Sequence, residues 1–419
     1  MIITEYFENK IEPERAVLVS VDTGEFDVDS SLAELTELAL TAGAVVICEM
    51  TQKREAPEAA TYLGSGKLQE LVDYCENEKP DLIIIDGELT PSQQRNIETA
   101  TDVRVIDRTT LILDIFAMRA LSGEGKLQVE LAQLRYLLPR LGGKGTQMSR
   151  LGAGIGTRGP GETKLETDRR HIRRRIASLE ADLKALDERR TRYRERRKKD
   201  GTVTVALVGY TNAGKSTLMN KLTDAGVLAE NKLFATLDPT ARALTLPDGS
   251  TVLLVDTVGF LRRLPHKLVE AFKSTLDEAV DADVILNVCD ASSDECLEHY
   301  NVTHALLEEL GCENKPIITV LNKSDISGNT DIPLADPRSV RVSALTGEGL
   351  DTLLEKIASV LPPTRRRVKI LLPFTLGSAA AALRRNGVLH SEEYTAEGVL
   401  LDVTADIAEL EKYKEYIVE

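Results

Sequence analysis

The most constraining stretch of this chain is residues 203–216, VTVALVGYTNAGKS. Its first six residues are mostly apolar and β-branched, the pattern of a buried parallel strand. Gly209, Tyr210, Thr211, Asn212, Ala213, Gly214, Lys215 and Ser216 then fit G-x-x-x-x-G-K-[ST]. The glycines let the backbone curl until several N–H groups face one phosphate. Lys215 can reach the β- and γ-phosphates, and the Ser216 hydroxyl can ligate Mg²⁺. Thr217 and the residues through Leu222 continue as a helix whose N-terminus faces the anion. An ordinary glycine-rich turn needs neither the strand before nor the helix after. The expected fold class is therefore α/β, with a P-loop GTPase domain at its centre.

The base is specified elsewhere. Asn322, Lys323, Ser324 and Asp325 follow an apolar strand at its carboxyl end, where ligands sit in α/β sheets. A carboxylate only accepts, so Asp325 can take both the N1–H and the exocyclic amino hydrogens of guanine. Adenine would leave that carboxylate buried and unpaired, a discrimination of about 10⁴ or more. Asn322 can add amide contacts, and the Lys323 stem can cover the base. Asp256, Thr257, Val258 and Gly259 end another strand. Asp256 would hold the Mg²⁺ shell, and the Gly259 N–H would face the γ-phosphate. Ser343, Ala344 and Leu345 would turn backbone N–H groups toward the guanine oxygen. Together and in this order, these segments predict a GTP/GDP site and a GTP hydrolase.

Residues 234–240 (FATLDPT) and 256–261 (DTVGFL), with a glycine-rich stretch at 142–162, resemble the first and second switches and the signature of the HflX GTPases, within the Obg–HflX group. The resemblance runs over nearly the whole chain. It implies that Phe234, Ala235, Thr236, Leu237 and Asp238 form the first switch, with Thr236 joining Ser216 on Mg²⁺. Thr240 is a second candidate that spacing does not exclude. The resemblance also implies an amino-terminal region that contacts the large ribosomal subunit, and a role in splitting or rescue of stalled or idle ribosomes.

At 419 residues the chain can hold roughly three globular domains. Read along its length it divides into an amino-terminal α/β domain (1–122), a helical hairpin (123–200), the GTPase domain (201–361) and a small α+β domain (362–419). Strands are expected at residues 16–21, 44–48, 81–85 and 103–106, with helices between them. Gly64, Ser65, Gly66 and Lys67 inside this region read as a helix start, since Thr61 and Leu68 stand where a second phosphate loop needs Gly and Ser/Thr. Leu127, Leu131, Leu134, Leu138 and Leu141 form a heptad seam, and Leu165, Ile172, Ile176, Leu179, Leu183, Leu186 and Tyr193 a second one. They predict a long antiparallel hairpin whose tip is the glycine-rich loop 142–161.

Formal net charge is −15, yet Lys144, Arg150, Arg158, Arg169, Arg170, Arg173, Arg174 and Arg175 concentrate positive charge on this hairpin. A basic hairpin on an acidic chain points to a phosphate-rich partner, which the resemblance implies is the RNA of the large ribosomal subunit. The competing readings are a ribosome-assembly GTPase, a switch that binds only proteins, and a metabolic P-loop enzyme with an oligomerisation arm. The guanine signature argues against the last. The five cysteines lack metal or disulfide spacing and read as reduced thiols. No signal peptide and no membrane span are expected; the expected location is the cytoplasm, and the expected state off the ribosome is a monomer.

Phe260 occupies the position where Ras-type enzymes carry a water-orienting glutamine, so intrinsic turnover should be slow. Lys215 and Asn212 are the catalytic candidates. Asn212 either braces the loop or coordinates K⁺, as asparagine does at this position in related GTPases.

Overall fold

The computed structural model describes residues 13–141, 160–199, 201–223, 233–234, 239–263, 265, 268, 278–326, 338–361 and 365–418. The glycine-rich tip 142–159 and switch residues 235–238 lie outside them. The chain divides into two compact units. One comprises Met1–Glu195, Leu228–Pro239 and Val258–Asp277; the other comprises Arg196–Val227, Thr240–Thr257 and Glu278–Glu419.

The first unit is built on a parallel sheet in the order β2-β1-β3-β4, from β1 (Arg15–Asp22), β2 (Val45–Lys53), β3 (Leu82–Ile85) and β4 (Arg104–Asp107). All four expected strands are present, and β2 is longer than its apolar run suggests. The crossover helices are α1 (Val28–Thr41), α2 (Ser65–Glu78) and α3 (Pro91–Thr101). Helix α1 is capped by Asp27, whose carboxylate accepts from the Asp29 and Ser30 N–H groups. Gly64 is the N-cap of α2, where the sequence places a helix start; Lys67 is paired with Glu70 at 2.9 Å.

Helix α4 (Arg108–Arg119) follows β4, then α5 (Gly123–Leu137) and α6 (Pro160–Lys199). The last two run antiparallel, joined by Arg135–Glu180 at 2.7 Å and Arg190–Glu124 at 3.0 Å. The hairpin is as expected, but the leucine seam of its first arm is not. Helix α5 buries Gln128, Val129, Leu131, Ala132 and Tyr136. Leu127 and Leu134 are only partly covered, while Leu138 and Leu141 fall in a 3₁₀ turn. Pro139 lacks the N–H that a continuing α-helix would donate, and the chain passes into the 3₁₀ turn there. On α6 only Leu179 of the expected seam is fully buried among the described residues.

The second unit carries a six-stranded sheet, order β10-β9-β8-β5-β7-β6. Its strands are β5 (Thr204–Gly209), β6 (Thr240–Thr245), β7 (Thr251–Asp256), β8 (Val284–Asp290), β9 (Ile317–Asn322) and β10 (Val340–Arg341). All neighbours are parallel except the β6–β7 hairpin. Strand β5 is buried along its length, as its apolar run requires. Helices α7 (Lys215–Thr223), α8 (Cys296–Glu309) and α9 (Leu350–Val360) flank it. The chain leaves β5 toward β7 on one side and β8 on the other. The carboxyl end of β5 is thus a topological switch point, the crevice where α/β sheets take ligands.

The tail forms an antiparallel sheet, order β11-β13-β12, from β11 (Arg365–Leu372), β12 (Val388–Tyr394) and β13 (Val399–Asp406). Helix α10 (Gly377–Asn386) covers one face and buries Ala379, Ala380 and Leu383 against it. The last helix is short: α11 (Ile407–Leu410) passes into a 3₁₀ segment, Glu411–Tyr416. His390 sits exposed on β12, 2.9 Å from the Thr404 hydroxyl.

Candidate functional site

The loop at the end of β5 is shaped by two glycines that no other residue could replace. At Gly209 (φ 148°) a Cβ would lie 2.1 Å from the Val288 carbonyl oxygen of β8. At Gly214 (φ 91°) it would lie 2.3 Å from the Asn322 side-chain nitrogen. Asn212 takes the left-handed region at φ 60° and is exposed, while Thr211 and Ala213 are buried. Helix α7 begins at Lys215, and the partly buried Thr217 lies in its first turn.

Lys215 Nζ donates to the Gly209 and Tyr210 carbonyls, at 3.0 and 2.8 Å. Burial pushes its pKa down to about 8, against the pull of Asp256. The Ser216 hydroxyl donates to Asp256 Oδ2 at 2.7 Å, bringing together the two oxygens expected around the cation. Both are hard oxygen donors suited to Mg²⁺. The buried Thr257 hydroxyl ties the end of β7 to the Leu207 carbonyl at 2.7 Å. Thr240, the alternative switch threonine, opens β6 and is the register partner of Asp256.

The guanine signature shows a division of labour that the residues alone did not reveal. Asn322 is 1% exposed. Its Nδ2 donates to the Ala213 carbonyl at 2.9 Å, and its Oδ1 accepts from the Ala344 N–H at 2.9 Å. This amide is a strut that fixes the phosphate loop to the 343–345 turn. Lys323 has φ 62° and its ammonium lies 2.6 Å from Asp290 Oδ2. The Ser324 N–H donates to the Val342 carbonyl. Asp325 is exposed at the rim, as is Leu345 (75%). Ser343 is buried and its hydroxyl accepts from the Thr346 N–H.

Phe234 of the first switch and the second switch from Val258 onward belong to the first unit. Phe234 (φ 54°) is buried edge-on against Phe116, centroids 4.6 Å apart. Val258, Gly259 and Phe260 are buried; Phe260 is 1% exposed, so its ring serves packing rather than water. Beyond it, Arg263 (φ 50°) reaches Asp86 at the end of β3, 3.2 Å to Oδ2. Asp86 also accepts from Ser20, Ser31 and Arg108. Arg108 pairs in turn with Glu34, whose carboxyl burial pushes up against the pull of Arg108. Sequence reading passed over Arg263 and Asp86, 177 residues apart.

The long helix α6 exposes Arg170, Arg173 and Arg174, whereas Arg175 is held by Glu130 at 2.6 Å. Lys144, Arg150 and Arg158 lie outside the described residues. Among the described residues no helix is long and apolar enough to cross a membrane.

Three family models match successive parts of the chain: "GTP-binding GTPase N-terminal" over residues 29–117, "GTP-binding GTPase Middle Region" over 119–197, and "50S ribosome-binding GTPase" over 204–323. The GTPase HflX of Caldanaerobacter subterraneus subsp. tengcongensis is 50% identical over 400 residues, covering 95% of this chain and 93% of that one. The GTPase HflX of Alkalihalophilus pseudofirmus is 47% identical over 408 residues, covering 95% and 96%. That of Escherichia coli is 43% identical over 354 residues, covering 83% of each. The chain belongs to the HflX family of ribosome-binding GTPases, enzymes that hydrolyse GTP.

Proposed function

We propose that this GTPase acts on the large ribosomal subunit, binding its RNA through the hairpin 123–200 in the GTP state, splitting or rescuing stalled or idle ribosomes, and leaving after hydrolysis. The observation that carries this reading is the exposed arginine face of α6 at Arg170, Arg173 and Arg174. It flanks a loop rich in glycine, whose backbone can enter a narrow RNA site and order there. A four-part domain division, a cytoplasmic location and a monomer off the ribosome belong to the same reading.

In this proposal the nucleotide lies across the carboxyl ends of β5, β7 and β9. The N–H groups of 209–217 and the Lys215 ammonium cradle the phosphates. Asp325 takes the guanine edge, and the 343–345 turn faces its oxygen. Ser216 and Thr236 would hold Mg²⁺, with Asp256 in its outer shell; the ion neutralises charge on the β- and γ-phosphates when bound. The Gly259 N–H meets the γ-phosphate and reports its presence to the second switch. Phe260 offers no group to orient water, so the isolated enzyme is slow. K⁺ beside Asn212, or the ribosome, would complete the site.

Co-sedimentation of the protein, loaded with a non-hydrolysable GTP analogue, with isolated subunits tests the reading. It should pellet with large subunits and not small ones, and less as salt rises, because the arginines displace counterions from RNA. Equal pelleting with both subunits, or with neither, would contradict it.

A further inference from the structure

Beside the nucleotide site lies a pair of thiols with no part in the chemistry above. Cys289 is the penultimate residue of β8 and Cys296 is the first residue of α8. They are 1% and 3% exposed and share one small apolar cluster with Ala291 and Leu321. Both side chains lie in that cluster, and the Cys289 Sγ is 3.8 Å from Asn287 Oδ1. The neighbouring Cys296 and burial push the Cys289 pKa up, while the neighbouring Cys289 holds that of Cys296 down against burial.

Both cysteines are wired into the site. One residue past Cys289, Asp290 grips the Lys323 ammonium at 2.6 Å and is the register partner of Asn322. One helical turn past Cys296, His299 stacks on Tyr210 of the phosphate loop, ring centroids 3.8 Å apart and planes 15° apart. The Tyr210 carbonyl is one of the two that hold Lys215.

We propose that Cys289 and Cys296 are a redox-modification site, closed into a disulfide by a peroxide, and that closure weakens nucleotide binding. The Cys296 thiolate attacks hydrogen peroxide, breaking the O–O bond; one oxygen stays on sulfur as a sulfenic acid and hydroxide leaves to become water. The Cys289 sulfur then attacks the sulfenic sulfur, its proton leaving with the displaced oxygen as a second water. Two electrons leave the two thiols and reduce one peroxide. Access comes through the loop between them, whose Ser292 and Asp294 are exposed. Short side-chain turns hold that loop, such as Ser292 Oγ to Asp290 Oδ1 at 2.6 Å, and its opening is a local event. Drawing the two sulfurs to bonding distance shifts the end of β8 against the start of α8. That disturbs the Asp290–Lys323 pair and the His299–Tyr210 stack together. The effect on nucleotide rests on the GTP site proposed above; the cross-link itself does not.

The test uses the full chain, treated natively with hydrogen peroxide, alkylated, and digested. No lysine or arginine lies between the two cysteines, so a glutamate-specific protease, cutting after Glu295, separates them. The expected result is a Cys289–Cys296 cross-link, a fall of about tenfold or more in affinity for a fluorescent GDP analogue, and recovery with dithiothreitol. Cys296→Ala and the near-isosteric Cys289→Ser should each keep their affinity through the same treatment. Oxidation confined to the partly exposed Cys48, or a link that forms only in denaturant, overturns the site. A native link with unchanged affinity overturns the regulatory effect. An equal loss in both variants assigns the sensitivity to another thiol and also overturns the proposal.

Discussion

Replacing Asn322 with alanine should loosen the GTPase domain before any nucleotide is added. In the folded chain this amide satisfies the Ala213 carbonyl and the Ala344 N–H, both at 2.9 Å and both on buried residues. Truncation strands one buried acceptor and one buried donor, each costing about 1–3 kcal/mol. Water entering the vacated space offsets part of this, so the net loss is about 2–3 kcal/mol. The assay is amide hydrogen exchange on nucleotide-free protein, followed over β5, β9 and the 343–345 turn. A tenfold change in an opening equilibrium corresponds to about 1.4 kcal/mol, so exchange there should speed up by about 30- to 150-fold. Asp325→Ala, at an exposed position, should leave the same amides unchanged. If Asn322→Ala protein loses GTP affinity while its nucleotide-free exchange is that of the wild type, the strut argument is wrong and the amide acts on the base alone.

Asp325→Asn should trade guanine for xanthine nucleotides, since an amide donor replaces the acceptor that the guanine amino group needs; side-by-side GTP and XTP affinities check this, and a retained GTP preference removes Asp325 from base recognition. Lys215→Ala and Ser216→Ala should abolish turnover while leaving the circular dichroism spectrum intact, and near-normal turnover would move the main nucleotide site elsewhere, with Gly64 to Lys67 the first place to look. A lysine held near a pKa of about 8 is increasingly neutral above that pH, so GDP binding should take up a proton and weaken by up to about tenfold per pH unit there. The sign for the fold is the reverse: between about 8 and the ordinary 10.5 the unfolded chain binds more protons at this group, and its contribution to stability rises with pH. Calorimetry in buffers of differing ionisation enthalpy reads the proton directly.

The candidate nucleotide site was legible where its residues are neighbours in sequence. A phosphate loop must curl within a few residues, so its glycines, lysine and serine sit together, and Gly209 and Gly214 face the atoms that exclude a Cβ. Buried parallel strands also announce themselves as apolar runs. Periodicity misled where a breaker intervened. The leucines of α5 step by heptads, yet Pro139 ends the helix, and the buried face turns to Val129, Ala132 and Tyr136, packed beside α4. Helix α3 left almost no hydrophobic signal because it buries only Gln93, Ile97 and Thr101; its real mark is the capping box of Thr90 and Gln93. Long-range pairings were not legible at all. Nothing near Asn322 in sequence reveals Ala213, 109 residues away, and nothing near Arg263 reveals Asp86. Such pairs exist only once topology has brought strand ends together.

The central claim is that the basic hairpin and its glycine-rich tip connect the ribosome to GTP hydrolysis. It is tested most directly by GTP turnover with and without large ribosomal subunits, for the intact chain and for one whose 142–161 loop is cut to a few residues, at two salt concentrations. The intact protein should be strongly stimulated, less so at high salt, and the shortened one little, with GTP affinity equal in both. Stimulation of the shortened protein as strong as that of the intact one would contradict the account and turn attention to the tail after Pro363.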